Sequence, residues 1–178
     1  MENRNFFVFS GGPGSGKSTV IHLLAAMGYI TVREAARDII TNQVTTHGDA
    51  VPWKNTIRYA HIMLLRSLVD FEEFMHVDRP CFFDRGIIDI LGYARLIHIP
   101  ITPEMNAAAN KYHYNHKVFL FPFWKEIYAK DTERQQDVAE AEKTFWVLKK
   151  EYENFGYQTI DVPLLSPQKR AEWIVHHI

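Results

Sequence analysis

The chain is poor in cysteine, with Cys81 as the single one among 178 residues. A lone cysteine excludes a disulfide within the chain, so a hydrophobic core must hold the fold, and a chain of this length can build one. The absence of disulfides is typical of proteins in reducing compartments, and we expect a cytoplasmic location. Cys81 precedes Phe82 and Phe83 in an apolar stretch, which favours a small buried side chain over a nucleophile.

Long apolar runs and an excess of one charge are also missing. No apolar run approaches the roughly 18 residues of a membrane-spanning helix, and no secretory pattern is seen. Lysine and arginine total 20 against 21 aspartate and glutamate, which gives a formal net charge of −1. Proteins that bind nucleic acids usually carry an excess of positive charge. We therefore expect no membrane partner, and a nucleic-acid partner is disfavoured.

What the chain does contain is a glycine-rich motif, GGPGSGKST, from Gly11 to Thr19, which fits the pattern GxxxxGK[ST]. An apolar β-type run precedes it and a helical apolar pattern follows it, ending at Gly28. This context is typical of a phosphate-binding P-loop, in which backbone N–H groups and a helix N-terminus face the phosphates. We expect consecutive residues to bind the nucleotide: Gly12, Pro13, Gly14, Ser15, Gly16, Lys17, Ser18 and Thr19.

Within this motif, Lys17 can reach the β- and γ-phosphates and Ser18 can ligate Mg²⁺. Guanine-binding switches usually carry an Asn-Lys-x-Asp motif. The segment Asn110–His113 reads NKYH and lacks the aspartate, which favours ATP as the nucleotide.

Short apolar strands alternate with helical patterns along the chain, which predicts an α/β fold with a parallel sheet in one domain, residues 1–178. We predict strands at residues 5–9, 29–32, 81–84, 117–121 and 158–162. Helices are predicted at 34–42, 55–76, 87–97 and 103–113, in the second half of 125–154, and from a Ser166 cap onward. The polar residues 130–137 have no apolar face and predict a loop or a mobile lid near residues 125–137.

Two carboxylates follow predicted strands. Asp84 ends the third strand, where a carboxylate can reach Mg²⁺ directly or through water; the alternative is a cap on the next helix near Gly86. Glu34 follows the second strand, where it could accept a proton from a substrate hydroxyl. It could equally serve as a charge at a helix N-terminus.

Three arginines and one tryptophan complete the candidate site. Arg85 at the carboxyl edge of the sheet points into a ligand crevice or forms a surface ion pair. Arg37 contacts substrate or pairs with Glu34. Arg134 in the polar segment either closes on the γ-phosphate or is a solvated surface arginine. Trp53, like Tyr59, either stacks on a nucleobase or belongs to the core or to the apolar wall of a pocket.

These motifs, in this order, resemble a family of small P-loop proteins classed as AAA-type ATPases or kinases, whose members are similar to nicotinamide-riboside and deoxynucleoside kinases. The resemblance covers nearly the full length and rests on residues 11–19, 33–37 (REAAR), 48–53 (GDAVPW), 82–86 (FFDRG), 121–124 (FPFW) and 131–136 (DTERQQ).

The resemblance implies a five-stranded parallel sheet in the order 2-3-1-4-5. It also implies a base at Glu34, followed by Arg37 in the next helical turn, and a lid that carries Arg134. Deoxynucleoside kinases read Asp/Glu-Arg-Ser after the third strand, whereas Gly86 stands at the third position here. True AAA+ motors place a glutamate directly after the strand-terminal aspartate, whereas Arg85 stands there, which argues against a ring-forming motor.

Two functions of different classes follow. The first is a Mg²⁺- and ATP-dependent kinase that acts on a small nucleoside- or nucleotide-like molecule, with catalytic roles for Lys17, Glu34, Asp84, Arg85 and Arg134. Asp89 is a second, less favoured candidate for the group that orients the acceptor. The second function is an ATPase or nucleotide switch acting on a protein partner. The oligomeric state is left open, a homodimer included.

Overall fold

The computed structural model describes residues 1–127 and 138–178. Most of the predicted lid, with Arg134, lies outside the described residues. The part of it that is described, Lys125–Ile127, forms one turn of 3₁₀ helix. The lid and the role of Arg134 therefore stay predictions.

The centre of the fold is a five-stranded parallel sheet in the order β2-β3-β1-β4-β5, which confirms the predicted topology. The strands are β1 (Phe6–Gly11), β2 (Ile30–Val32), β3 (Cys81–Asp84), β4 (Lys117–Phe121) and β5 (Gln158–Asp161). Because all strands run in the same direction, their carboxyl ends meet at one edge. That edge carries the P-loop after β1, Glu34 after β2, and Asp84 with Arg85 at the end of β3.

Seven α-helices occur in the described part of the chain. They are α1 (Lys17–Ala26), α2 (Ala36–Thr45), α3 (Thr56–Glu73), α4 (Ile87–Leu96), α5 (Pro103–Lys111), α6 (Val138–Asn154) and α7 (Pro167–Val175). Helix α2 begins two residues after Glu34, which leaves that carboxylate in the preceding loop. Ser166 stands at the N-cap of α7, as predicted, but its side chain makes no capping hydrogen bond. None of these helices is long and apolar enough to cross a membrane.

The central strand is buried on both faces because helices cover the sheet on both sides. Phe6 and Val8 join one core, formed with α3, α4, α5 and α6, whereas Phe7 and Phe9 join a second core with α1 and α7. This continuous burial explains why β1 is an unbroken apolar run rather than an alternating one. Cys81 is fully buried, and burial raises the pKa of its thiol to about 12, which fits a core side chain.

Helix α6 is the long amphipathic helix that its apolar spacing predicts. Ala141, Phe145, Leu148 and Tyr152 are buried along one face. This face packs on α4 and on β1, and Gly92 of α4 leaves room for Leu148 at the crossing. The helix therefore forms one wall of the carboxyl edge, beside the P-loop.

Candidate active site

The P-loop is a tight turn between β1 and α1. Gly14 and Gly16 have φ angles of 73° and 89°, in the left-handed region that favours glycine. The Lys17 ammonium folds back over the loop and donates hydrogen bonds to the carbonyl oxygens of Gly11 (3.0 Å) and Gly12 (2.8 Å). Lys17 is buried, and this desolvation, assisted by the charge of Arg85, lowers its pKa to about 8.

Ser18 and Asp84 are in contact at the N-terminus of α1. The Ser18 hydroxyl donates to Asp84 Oδ2 at 3.1 Å, while Asp84 Oδ1 is buried with no hydrogen-bond partner in the part of the chain that the structure describes. Burial raises the pKa of Asp84, and the positive charge of Lys17 opposes that rise. A hydroxyl beside a carboxylate with an unsatisfied oxygen fits the oxygen ligands that Mg²⁺ prefers. Asp84 does not cap the next helix, because Gly86 is the N-cap residue and the hydrogen bond of the Asp84 carboxylate comes from Ser18.

Glu34 and Arg85 form an ion pair between two neighbouring strands. Arg85 Nε donates to Glu34 Oε1 at 2.5 Å, and the two side chains are 21% and 30% exposed. The pair is thus partly buried at the sheet edge, rather than a solvated surface pair. Burial works to raise the pKa of Glu34, but the charges of Arg85 and Lys17 and the hydrogen bond from Arg85 outweigh it, so the pKa lies below its usual value.

Asp89, one turn into α4, holds Arg85 from the other side. Its carboxylate accepts hydrogen bonds from Ser10 Oγ (2.6 Å), the Tyr152 hydroxyl (2.6 Å), the Gly86 N–H (2.9 Å) and Arg85 Nη1 (3.2 Å). Both oxygens of this buried carboxylate are therefore engaged within the protein. This geometry makes Asp89 a positioning residue for Arg85, whereas the Glu34 carboxylate lines both cavities described below.

Two adjoining cavities lie along this edge. The P-loop cavity, of about 1420 Å³, is lined by residues 13–19 and by further side chains that include Glu34, Arg37, Trp53, Arg85, Trp124 and Arg170. The side cavity, of about 250 Å³, lies between α3, α4 and α6 and is walled by Tyr59, Met63, Tyr93 and Leu148, among others. Four residues line both: Pro13, Glu34, Arg85 and Glu140.

The structure thus brings together most of the site residues that the sequence predicts. Two of them, Gly12 and Asp84, do not line the P-loop cavity. The Gly12 carbonyl accepts a hydrogen bond from the Lys17 ammonium, and the Asp84 carboxylate accepts one from Ser18, which does line the cavity. Trp53 stands at the cavity with 64% of its surface exposed, so it is not part of the core. Arg134 lies outside the described residues.

Tyr93 of the side cavity was not assigned a role from the sequence, whereas its neighbour Tyr59 was a candidate for stacking on a nucleobase or for the core. The rings of Tyr59 and Tyr93 meet edge to face, with centroids 5.9 Å apart. Burial raises the pKa of the Tyr59 hydroxyl, with the charge of Glu34 adding to the rise, so the hydroxyl stays protonated. The sequence signal is slight, because a tyrosine in the apolar stripe of a helix usually belongs to the core.

Arg170 is a second residue of the site that was not selected from the sequence. It comes from α7, is 1% exposed, and donates from Nη1 to the carbonyl oxygen of Ser15 at 2.8 Å. In the sequence it follows Gln168 and Lys169 in the first turns of a helix, a pattern typical of a solvated surface. The contact spans 155 positions, and nothing in the local pattern predicts it.

Comparison with known proteins gives a family and a fold. A family model described as an AAA domain matches residues 6–170. No curated protein matches the sequence. Similar solved structures include a deoxyadenosine kinase from M. mycoides with dCMP and dCDP, at 16% identity and a TM-score of 0.67, over 97% of each chain. A shikimate kinase from Acinetobacter baumannii, in complex with shikimate, is 16% identical with a TM-score of 0.54, over 97% of this chain and 91% of the other.

A further similar structure is NadR in complex with NR, at 15% identity and a TM-score of 0.71. The alignment covers 97% of this chain but 50% of NadR, so this chain spans about half of that protein. At such identities these structures show the fold alone, which is that of P-loop kinases. Since the family model spans most of the sequence, the chain belongs to this AAA-domain family of P-loop proteins.

Proposed function

We propose that the protein is a kinase of the cytoplasm that transfers the γ-phosphoryl group of ATP to a hydroxyl of a small nucleoside- or nucleotide-like molecule. The observation that carries this proposal is the Glu34–Arg85 pair, which lies where the P-loop cavity and the side cavity join. A phosphoryl transfer enzyme needs a donor and an acceptor side by side, with charged groups at the point where they meet. The two cavities could hold donor and acceptor side by side, with the Glu34–Arg85 pair at the point where they meet.

The P-loop cavity would hold the donor. The backbone of residues 12–16 would cradle the phosphates, and the Lys17 ammonium would turn from the loop carbonyls to the β- and γ-phosphates. Ser18 and Asp84 would hold Mg²⁺, which when bound neutralises phosphate charge. Arg134 would add positive charge from the lid.

The side cavity would hold the acceptor, with its hydroxyl at Glu34. The acceptor oxygen forms a bond to the γ-phosphorus while the bond from that phosphorus to ADP breaks. A carboxylate whose pKa is lowered is a weak base, so the main contribution of Glu34 would be to orient the hydroxyl. The hydroxyl proton would pass to the Glu34 carboxylate late in the transfer, as the new bond forms, and from there to solvent. Arg85 would face the transferring group, and Arg37 and Trp53 would contact the substrate at the mouth.

The volume and lining of the side cavity support an acceptor of about nucleoside size. The cavity of about 250 Å³ combines aromatic walls with a charged end, as do many sites for small metabolites. Two of the similar solved structures are kinases that act on or bind small hydroxylated molecules, as their names state: a deoxyadenosine kinase and a shikimate kinase.

A panel of nucleosides, nucleotides and other small alcohols, each with ATP and Mg²⁺, tests the proposal by acceptor-dependent formation of ADP. We expect at least one acceptor to be phosphorylated, and Glu34→Gln to lower that rate by about a hundredfold. Glu142→Gln, an exposed carboxylate on α6, is the matched control and should leave the rate unchanged. If every member of the panel leaves the rate unchanged and only water consumes ATP, the kinase proposal fails in favour of an ATPase or switch.

A further inference from the structure

Arg170 is a buried cation beside the P-loop. Its side chain crosses from α7, and its guanidinium joins two loops: Nη1 donates to the Ser15 carbonyl at 2.8 Å and Nε donates to the Pro163 carbonyl at 3.0 Å. The guanidinium carbon lies 4.7 Å from the ring centre of Trp124 and 5.6 Å from that of Phe121. The fold thus fixes this side chain in one place against the loop.

The charge of Arg170 has no carboxylate partner in the described residues. Its Nη2 is buried and has no hydrogen-bond partner within residues 1–127 and 138–178, and burial lowers the pKa of the guanidinium. A buried charge without a counter-charge is costly. An anion bound at the neighbouring loop would supply the missing negative charge, and Arg170 also lines the P-loop cavity.

The hydrogen bond to Ser15 also sets the direction of a phosphate-binding group. The Ser15 carbonyl and the Gly16 N–H belong to one planar trans peptide, so they point in opposite directions. Holding the carbonyl toward Arg170 therefore turns the Gly16 N–H away from it. A Cβ atom at position 16 would lie 3.0 Å from Arg170 Nη1, so the glycine also permits the close approach.

We propose that Arg170 is a positioning residue for the triphosphate of the nucleotide. It orients the Ser15–Gly16 peptide so that the Gly16 N–H faces the phosphates, and it places beside the loop a positive charge that no carboxylate of the described residues neutralises. This role concerns binding of the donor phosphates, and it holds whether the γ-phosphoryl group passes to a metabolite or to water.

Binding of inorganic tripolyphosphate, which lacks base and ribose, tests the proposal directly. Calorimetry would compare Mg²⁺-tripolyphosphate and Mg²⁺-ATP on the unchanged protein, Arg170→Met, Arg170→Lys and Lys169→Met. We expect Arg170→Met to weaken both ligands by the same factor, about tenfold to a hundredfold, because a hydrogen bond from a charged group is lost. Arg170→Lys keeps the charge but reaches one carbonyl, so its loss should be smaller. Lys169→Met removes an exposed charge one position away and should bind as the unchanged protein does.

The amide resonance of Gly16 gives a readout that a purely structural role would not move. Tripolyphosphate should shift it strongly in the unchanged protein and weakly in the Arg170 variants. If Arg170→Met does not fold, the folded Arg170→Lys variant decides by the same two measurements. An unchanged tripolyphosphate affinity in the Arg170 variants overturns the proposal, whether or not ATP binding weakens. The proposal is also overturned if the protein without any substitution binds no tripolyphosphate.

Discussion

Arg85 has a backbone conformation that side chains other than glycine seldom adopt. Its φ angle is 77°, and its N–H donates to the Phe9 carbonyl at 2.9 Å. This turn at the end of β3 directs the side chain toward Glu34 and Asp89. Backbone strain of this kind persists where surrounding contacts hold it, and it is common at functional sites.

Arg85→Gly should unfold with a free energy about 1 kcal/mol higher than that of Arg85→Ala, because a left-handed residue with a Cβ carries a steric cost of that size. Both variants lose the same ion pairs, so the comparison isolates the backbone. Arg95 in the last turn of α4 is the control, since glycine is less favourable than alanine in a helix and the order should reverse. Urea denaturation measures all four variants. An Arg85→Ala protein at least as stable as Arg85→Gly would contradict this explanation.

Lys17 gives the stability a pH dependence of predictable sign. Its pKa is about 8 in the folded chain against 10.5 for an ordinary solvated lysine, so between these values the unfolded state binds more protons. Stability therefore rises with pH through this window. We expect the unfolding free energy of the unchanged protein, minus that of Lys17→Met, to increase from pH 8 to pH 10 by up to about 1.4 kcal/mol per unit. Denaturant titrations from pH 8 to pH 10 measure this difference in unfolding free energy. A difference that does not change with pH would contradict a desolvated Lys17.

Single residues were predictable from sequence where they follow a strand. Glu34 and Asp84 could be placed because parallel strands bring their carboxyl ends to one edge. The roles of Asp89 and Arg170 depend on contacts between distant segments, such as that of Tyr152 with Asp89 and that of Arg170 with Ser15. Such contacts have no local pattern, so the sequence alone could not supply them.

At the scale of elements, the crossing of α4 and α6 shapes the side cavity. An ideal Cβ at Gly92 would lie 2.6 Å from Leu148 Cδ2, so this glycine allows the two helices to approach closely. Leu148 also lines the side cavity. The apolar spacing of α6 predicted an amphipathic helix, but not which helix it would meet.

Gly92→Ala should displace Leu148 into the side cavity, since the far end of this side chain is the part that can move. We expect the KM of the acceptor to rise about tenfold, and the KM of ATP to stay unchanged. Adding Leu148→Ala should restore much of the acceptor affinity, because the two changes act on one contact. Initial-rate kinetics of Gly92→Ala, Leu148→Ala and the double variant measure this. A rise in the KM of ATP alone would place the acceptor elsewhere.

At the scale of the whole molecule, the sequence was sufficient for the fold class but not for every part of the topology. Alternating strands and helices predict a parallel sheet from physics alone, whereas the strand order 2-3-1-4-5 was implied by the family resemblance. Five parallel strands can be ordered in several ways that share the same periodicity. Residues 128–137 make up most of the lid predicted near residues 125–137, and its role stays a prediction because these residues lie outside the described part of the chain.

The fate of the γ-phosphoryl group tests the central proposal most directly. The measurement uses ATP labelled at the γ-phosphate, Mg²⁺ and an acceptor of the side cavity, and it compares label in the acceptor with label in inorganic phosphate. In the unchanged protein, most of the label should enter the acceptor. Glu34→Gln should lower that transfer while ATP binding persists. Label found only in inorganic phosphate, at equal rates in both proteins, would contradict a kinase that positions its acceptor at Glu34.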